Sequence, residues 1–165
     1  MRRVALLMAL AAQPALADGF ASPDLTEATV PDDLIAGHAL QTRAEPERLT
    51  IMCVDCGDEF VAIDVLRGRN ADGTEGRVRS GETTIADMEA LCQAREPLCR
   101  IEAAPAGAAV GWVSSYPSPM GAGSTAALLR DGDMLTIRSI APDAEVARRP
   151  ASAELERVVP AVIGR

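Results

Sequence analysis

The stretch Leu128, Leu129, Arg130, Asp131, Gly132, Asp133, Met134, Leu135, Thr136, Ile137 decides the fold. Asp131 and Gly132 suit the positive φ angles of a two-residue hairpin turn, with strand formers on either side. In that register Arg130 faces Asp133, and Ala126, Leu128, Leu135 and Ile137 share a face with them. The charged pair is expected at the tip and the four apolar residues against the core. An antiparallel sheet is therefore the organising element, and the flanking segments are read by whether they extend it.

Moving toward the amino terminus, Pro117 to Gly123 reads as a loop and Val110 to Tyr116 as a strand. Thr83 or Thr84 can cap a helix whose apolar positions Ile85, Met88, Leu91 and Cys92 fall on one face, with Pro97 limiting its extension. The polar segment Arg67 to Arg79 has Asp72 and Gly73 at its middle, the same turn dipeptide, and is expected to be an exposed hairpin. Phe60 to Leu66 and Leu49 to Val54 are rich in strand formers. Beyond the hairpin, Leu155, Val158, Val159 and Val162 recur at helical spacing, with Ser152 as a cap and Pro160 ending or kinking the helix. The fold class is α+β: one small domain with a mainly antiparallel sheet of five to seven strands, the Ile85 helix and a C-terminal helical segment.

The first 17 residues differ in kind. Arg2 and Arg3 precede an apolar run from Val4 to Ala12, followed by the small-residue end Ala15, Leu16, Ala17. This is the pattern of a secretory signal peptide, with cleavage expected after Ala17. The apolar run is shorter than the roughly 20 residues that span a bilayer, and no later segment is apolar enough for insertion. The surroundings of a twin-arginine signal are missing, so the arginines read as an ordinary basic start. Residues 18–33, with Pro23, Pro31 and several acids, are expected to be a flexible acidic arm, and residues 34–165 a single globular domain. The expected location is the bacterial periplasm.

The chain carries a formal charge of −8, with 24 acidic residues against 16 basic ones. Every basic residue is arginine. Loss of Arg2 and Arg3 with the signal moves the charge to −10, since all acids lie beyond Ala17. Such a surface repels phosphate backbones, which argues against a nucleic-acid partner. Phe20, Phe60, Trp112 and Tyr116 are the only aromatics, so stacking platforms for bases or sugars are hard to assemble.

Cys53, Cys56, Cys92 and Cys99 offer the one testable chemistry. An even number in an exported chain reads first as two structural disulfides. The local pairing, Cys53 with Cys56 and Cys92 with Cys99, is favoured over crossed pairings that would pin the helix to the Cys53 strand. A thiol oxidoreductase using Cys53, Val54, Asp55, Cys56 needs a stabilised thiolate, usually at a helix start; Asp55, Asp58 and Glu59 oppose it. A soft-metal site for copper or zinc is a second alternative, with Met52 as a weak further donor although neighbours on a strand point to opposite faces.

Other constellations are poor. His38 is the only histidine and has no patterned partner for a catalytic triad. Ser114, Ser115 and Ser124 lack the elbow sequence that presents a nucleophile. Gly121, Gly123 and Ala126 formally match a dinucleotide fingerprint without its strand and helix context. The Asp131–Asp133 and Asp72–Gly73 groups are too few and too closely spaced for a helix-loop-helix calcium site. The strings MCVDCG, RVRSGETTIADMEALC and LLRDGDMLTIRSIA map onto no catalytic signature. The sequence therefore points to a noncatalytic periplasmic binding or accessory protein with an unspecified protein or small-molecule partner and no cofactor.

Overall fold

The computed structural model describes residues 19–22, 24–26, 28, 30, 34–35, 37–57, 61–104, 106–148, 156 and 162–163. The expected signal peptide lies outside them. Seven strands form one sheet: β1 (Leu40–Glu45), β2 (Arg48–Cys53), β3 (Ala62–Arg69), β4 (Arg100–Ala103), β5 (Val110–Ser118), β6 (Gly121–Arg130) and β7 (Asp133–Ala141). Their order is β1-β2-β3-β7-β6-β5-β4, and every neighbouring pair is antiparallel. Two meanders, β1–β3 and β4–β7, thus meet along β3 and β7. The segment between them carries α1 (Thr74–Ser80) and α2 (Ile85–Gln93) across to the far edge.

The β6–β7 hairpin forms in the expected register. Asp131 and Gly132 take φ angles of 51° and 81°, the positive pair that a tight turn between right-twisted strands requires. Ala126 lies opposite Ile137 and Leu128 opposite Leu135, all four fully buried. With Leu49, Ile51, Ile63 and Val65 they form the core face. The tip differs from expectation. Asp133 is buried, and its carboxylate pairs with Arg69 and Arg67 of β3.

The polar segment after β3 is not a hairpin. Gly73 takes φ 77° as the residue before α1, and the Asp72 carboxylate accepts the Thr74 amide at 2.8 Å. The Asp-Gly pair uses its positive φ to start a helix instead of to reverse a strand. β3 correspondingly runs on to Arg69, because Arg69 lies opposite Asp133 and Arg67 reaches the same carboxylate. Pro117 to Gly123 is likewise no open loop: β5 and β6 continue to Ser118 and Gly121 and close a two-residue turn.

Thr84 caps α2 in a full capping box with Asp87, which satisfies two amide donors at once. The helix buries no residue completely. Leu91, expected on its inner face, is 70% exposed. Glu89 and Gln93 face the sheet instead: Glu89 Oε2 accepts the Ile101 amide at 3.2 Å and Gln93 Nε2 donates to the Cys99 carbonyl at 3.1 Å. These bonds occupy the Ile101 amide of the edge strand β4 and the carbonyl of Cys99 just before it, which explains why polar residues sit inward.

Segment 18–33, expected to be a loose arm, contributes Phe20 and Leu25 to the core. The Phe20 amide donates to Asp133 and the Leu25 amide to the Pro46 carbonyl, so at these positions the segment is docked. Near the other end, Asp143 caps the helical residues 144–148 by accepting the Val146 amide. Of the expected C-terminal helical segment, Ser152, Leu155, Val158, Val159 and Pro160 lie outside the described residues, while Val162 and Ile163 are buried in the core. No helix among the described residues is long and apolar enough to cross a membrane.

Candidate functional site

Cys53 ends β2, and the next three residues turn the chain before Gly57 at φ 56°. Cys53 is bonded to Cys56 and Cys92 to Cys99, with Cα separations of 5.7 and 5.9 Å. The local pairing is the one present. The second bridge ties the last turn of α2 to the residue before β4; the first sits at the end of β2. Five strand spacings separate β2 from β4, roughly 24 Å, so the four sulfurs do not converge on one ion.

The Cys53–Cys56 loop is bound to the start of β1. Asp55 Oδ1 accepts the Ala39 amide at 2.9 Å and lies 3.3 Å from His38 Nδ1. A carboxylate only accepts, so Nδ1 is the donor in the bond to Asp55. The same Asp55 oxygen lies 3.7 Å from Cys53 Sγ. In the disulfide that sulfur carries no hydrogen; the contact becomes a hydrogen bond only on reduction. One imidazole nitrogen of His38 and both cysteine sulfurs lie within 4.8 Å of one another. His38 thus has the partners that its sequence surroundings do not announce.

These surroundings oppose thiol catalysis. Among the described residues no helix begins at Cys53 to stabilise a thiolate, and the Asp55 carboxylate stands beside its sulfur. Met52 takes no part, because it projects from the face opposite Cys53 and is exposed while Cys53 is almost fully buried. Cys92 and Cys99 have no histidine near them, since His38 is the only one. Ser114, Ser115 and Ser124 lie within the paired strands β5 and β6. Ser124 is completely buried on β6, and Ser114 Oγ donates to the Thr125 carbonyl across the β5–β6 pair. Gly121, Gly123 and Ala126 all lie within β6 and form no phosphate-binding turn.

A second candidate lies on the sheet itself. The face opposite the core carries a groove of about 490 Å³ lined by Gln41, Thr42, Arg43, Glu45, Arg48, Thr50 and Met52. Its charges are paired locally: Arg43 with Glu45, and Arg48 with Asp64 through three bonds of 3.1, 2.9 and 3.0 Å. The groove opens along β1, whose residues after Leu40 are all exposed. The Val54 amide donates to the Ala39 carbonyl, making Ala39 and Val54 a hydrogen-bonded pair of the ladder. Alternation then places Gln41, Arg43 and Glu45 in bonds to β2 and turns the backbone groups of Leu40, Thr42 and Ala44 outward. Among the described residues nothing bonds these outward groups of β1, whereas at the other edge α2 bonds the Ile101 amide of β4.

Comparison with protein-family models, with curated proteins and with solved structures finds no match to this chain. The site's own chemistry carries the functional argument.

Proposed function

We propose that this is a noncatalytic accessory protein of the periplasm that holds an extended segment of another polypeptide along β1. The observation that carries the reading is the contrast between the two sheet edges: α2 occupies backbone groups at β4, while Leu40, Thr42 and Ala44 present theirs outward. A segment paired to β1 gains main-chain hydrogen bonds, and its alternate side chains lie over the groove at Gln41, Arg43 and Arg48. The groove is lined mostly by polar side chains, which suits a segment of polar and hydroxyl side chains better than an apolar one. The periplasmic location rests on the basic, apolar and small-residue sequence of Met1 to Ala17.

The test uses peptides selected for binding to the purified protein. Thr42→Pro removes an outward amide from an edge strand, where proline is tolerated. It should abolish binding and leave the fold intact by circular dichroism, and bound peptide should slow amide exchange at Leu40, Thr42 and Ala44. Selected peptides that bind Thr42→Pro as well as the parent protein would overturn the proposal.

A further inference from the structure

The Cys53–Cys56 disulfide, His38 and Asp55 together have a chemistry that peptide capture does not use. We infer that, once reduced, Cys53, Cys56 and His38 form a site for a soft d10 metal ion, with Cu(I) the best match.

Cys53 ends β2, His38 precedes β1, and the pairing of Leu40 with Cys53 brings them side by side. Their donor atoms already lie within 4.8 Å of one another. Two thiolates and one imidazole form a donor set matched to Cu(I), which accepts soft ligands and low coordination numbers. A closed zinc site takes four ligands. Asp55 is committed elsewhere, to the Ala39 amide and the His38 ring, so it acts as the carboxylate that orients the histidine. The exposed Val54, Asp55 and Gly57 place the loop at the surface, giving an ion a short path to the sulfurs.

The site is closed while the disulfide stands. Opening it requires a dithiol reductant, which passes two electrons and two protons to the bridge, is itself oxidised to a disulfide, and leaves Cys53 and Cys56 as thiols. Metal binding then releases both thiol protons to solvent and forms two metal–sulfur bonds. Capture is thereby conditional on reduction.

The experiment titrates the full mature chain, reduced and kept anaerobic, with Cu(I) against a competing chelator. One ion per chain is expected, with thiolate-to-copper absorption in the near ultraviolet and no binding before reduction. The variant lacking Cys92 and Cys99 should keep the same stoichiometry, and Cys53→Ser with Cys56→Ser should lose it. His38→Ala, a half-exposed position that leaves both thiols in place, should weaken binding at least tenfold. Stoichiometry unchanged by the Cys53 and Cys56 substitutions, or affinity unchanged by His38→Ala, would overturn the assignment. Zn(II) held more tightly than Cu(I) under the same competition would overturn the three-donor reading. Peptide binding to β1 is scored separately, so failure of either proposal is distinguishable from failure of the other.

Discussion

Asp133 pairs with Arg69 of β3 at 2.6 Å, not with Arg130, which lies opposite it in the hairpin. Its carboxylate also accepts the Phe20 amide at 2.9 Å. One buried acid therefore joins the two meanders and fastens the N-terminal segment to both. Asp133→Ala leaves the Phe20 amide and the inner arginine without this acceptor. A loss of about 2–3 kcal/mol is expected from urea denaturation. Arg69→Ala should cost well under half as much, because that side chain is 74% exposed and its ion pair is screened.

Docking of the N-terminal segment is tested at Leu25. Its side chain is fully buried, and a fully buried leucine truncated to alanine costs about 2–4 kcal/mol. Leu25→Ala should lower stability by that amount and speed proteolysis between residues 19 and 35. A change below about 0.5 kcal/mol would show the segment to be loose in solution.

Glu75 predicts an acid dependence. Burial pushes its carboxyl up, but the Asp131 and Gly132 amides together with Arg79 outweigh that and hold it below the ordinary glutamate value of 4.5. A depressed folded-state pKa contributes stability that is present above the unfolded value and lost as pH falls through the folded one. Stability should therefore decline below about pH 4.5 as α1 loses its hold on the hairpin turn. Glu75→Gln should cost about 1–2 kcal/mol at pH 7 and flatten this part of the pH profile, as followed by thermal melts.

The Cys92–Cys99 bridge closes a short loop around the end of α2. Replacing both cysteines by serine should cost roughly 2–3 kcal/mol on chain-entropy grounds. The first sign should be local: faster hydrogen exchange at the Ile101 amide, because Glu89 and Gln93 no longer stay over β4. Uniformly faster exchange across the sheet would instead make the bridge a support of the whole domain.

Export predicts an intact mass. Periplasmic protein should begin at Asp18 and, with thiols trapped, weigh four hydrogens less than the reduced chain. A mass beginning at Met1 would remove the basis for a periplasmic location.

The hairpin at Asp131 and Gly132 was legible because a two-residue turn fixes register, and register fixes faces. A cap at Thr83 or Thr84 was legible because capping bonds span three residues, and the structure takes Thr84. The Asp72–Gly73 pair carried the same turn signature to a different result, since positive φ at glycine serves a helix start as well as a strand reversal. β1 was not read at all. An edge strand exposed along most of its length, as this one is, lacks the apolar alternation that marks a half-buried one. At α2 the periodicity located the helix but assigned Leu91 inward. Only the backbone groups left open at β4 show why Glu89 and Gln93 take that side.

For the candidate site, sequence supplied Cys53 and Cys56 and their local pairing, because a short chain separation makes that bridge easy to close. It could not supply His38 or Asp55 as partners of the pair: the histidine lies 17 residues before Asp55, and only the register of β1 against β2 brings them together. Sequence by itself determined what is local in chain or period: the hairpin, the helix cap and the strand-rich character. Tertiary structure decided which edge stays open, where Asp133 finds its arginines and what stands beside the cysteines. Those outcomes depend on hydrogen bonds and ion pairs between separate segments of the chain, whose geometry exists only once the strands have paired.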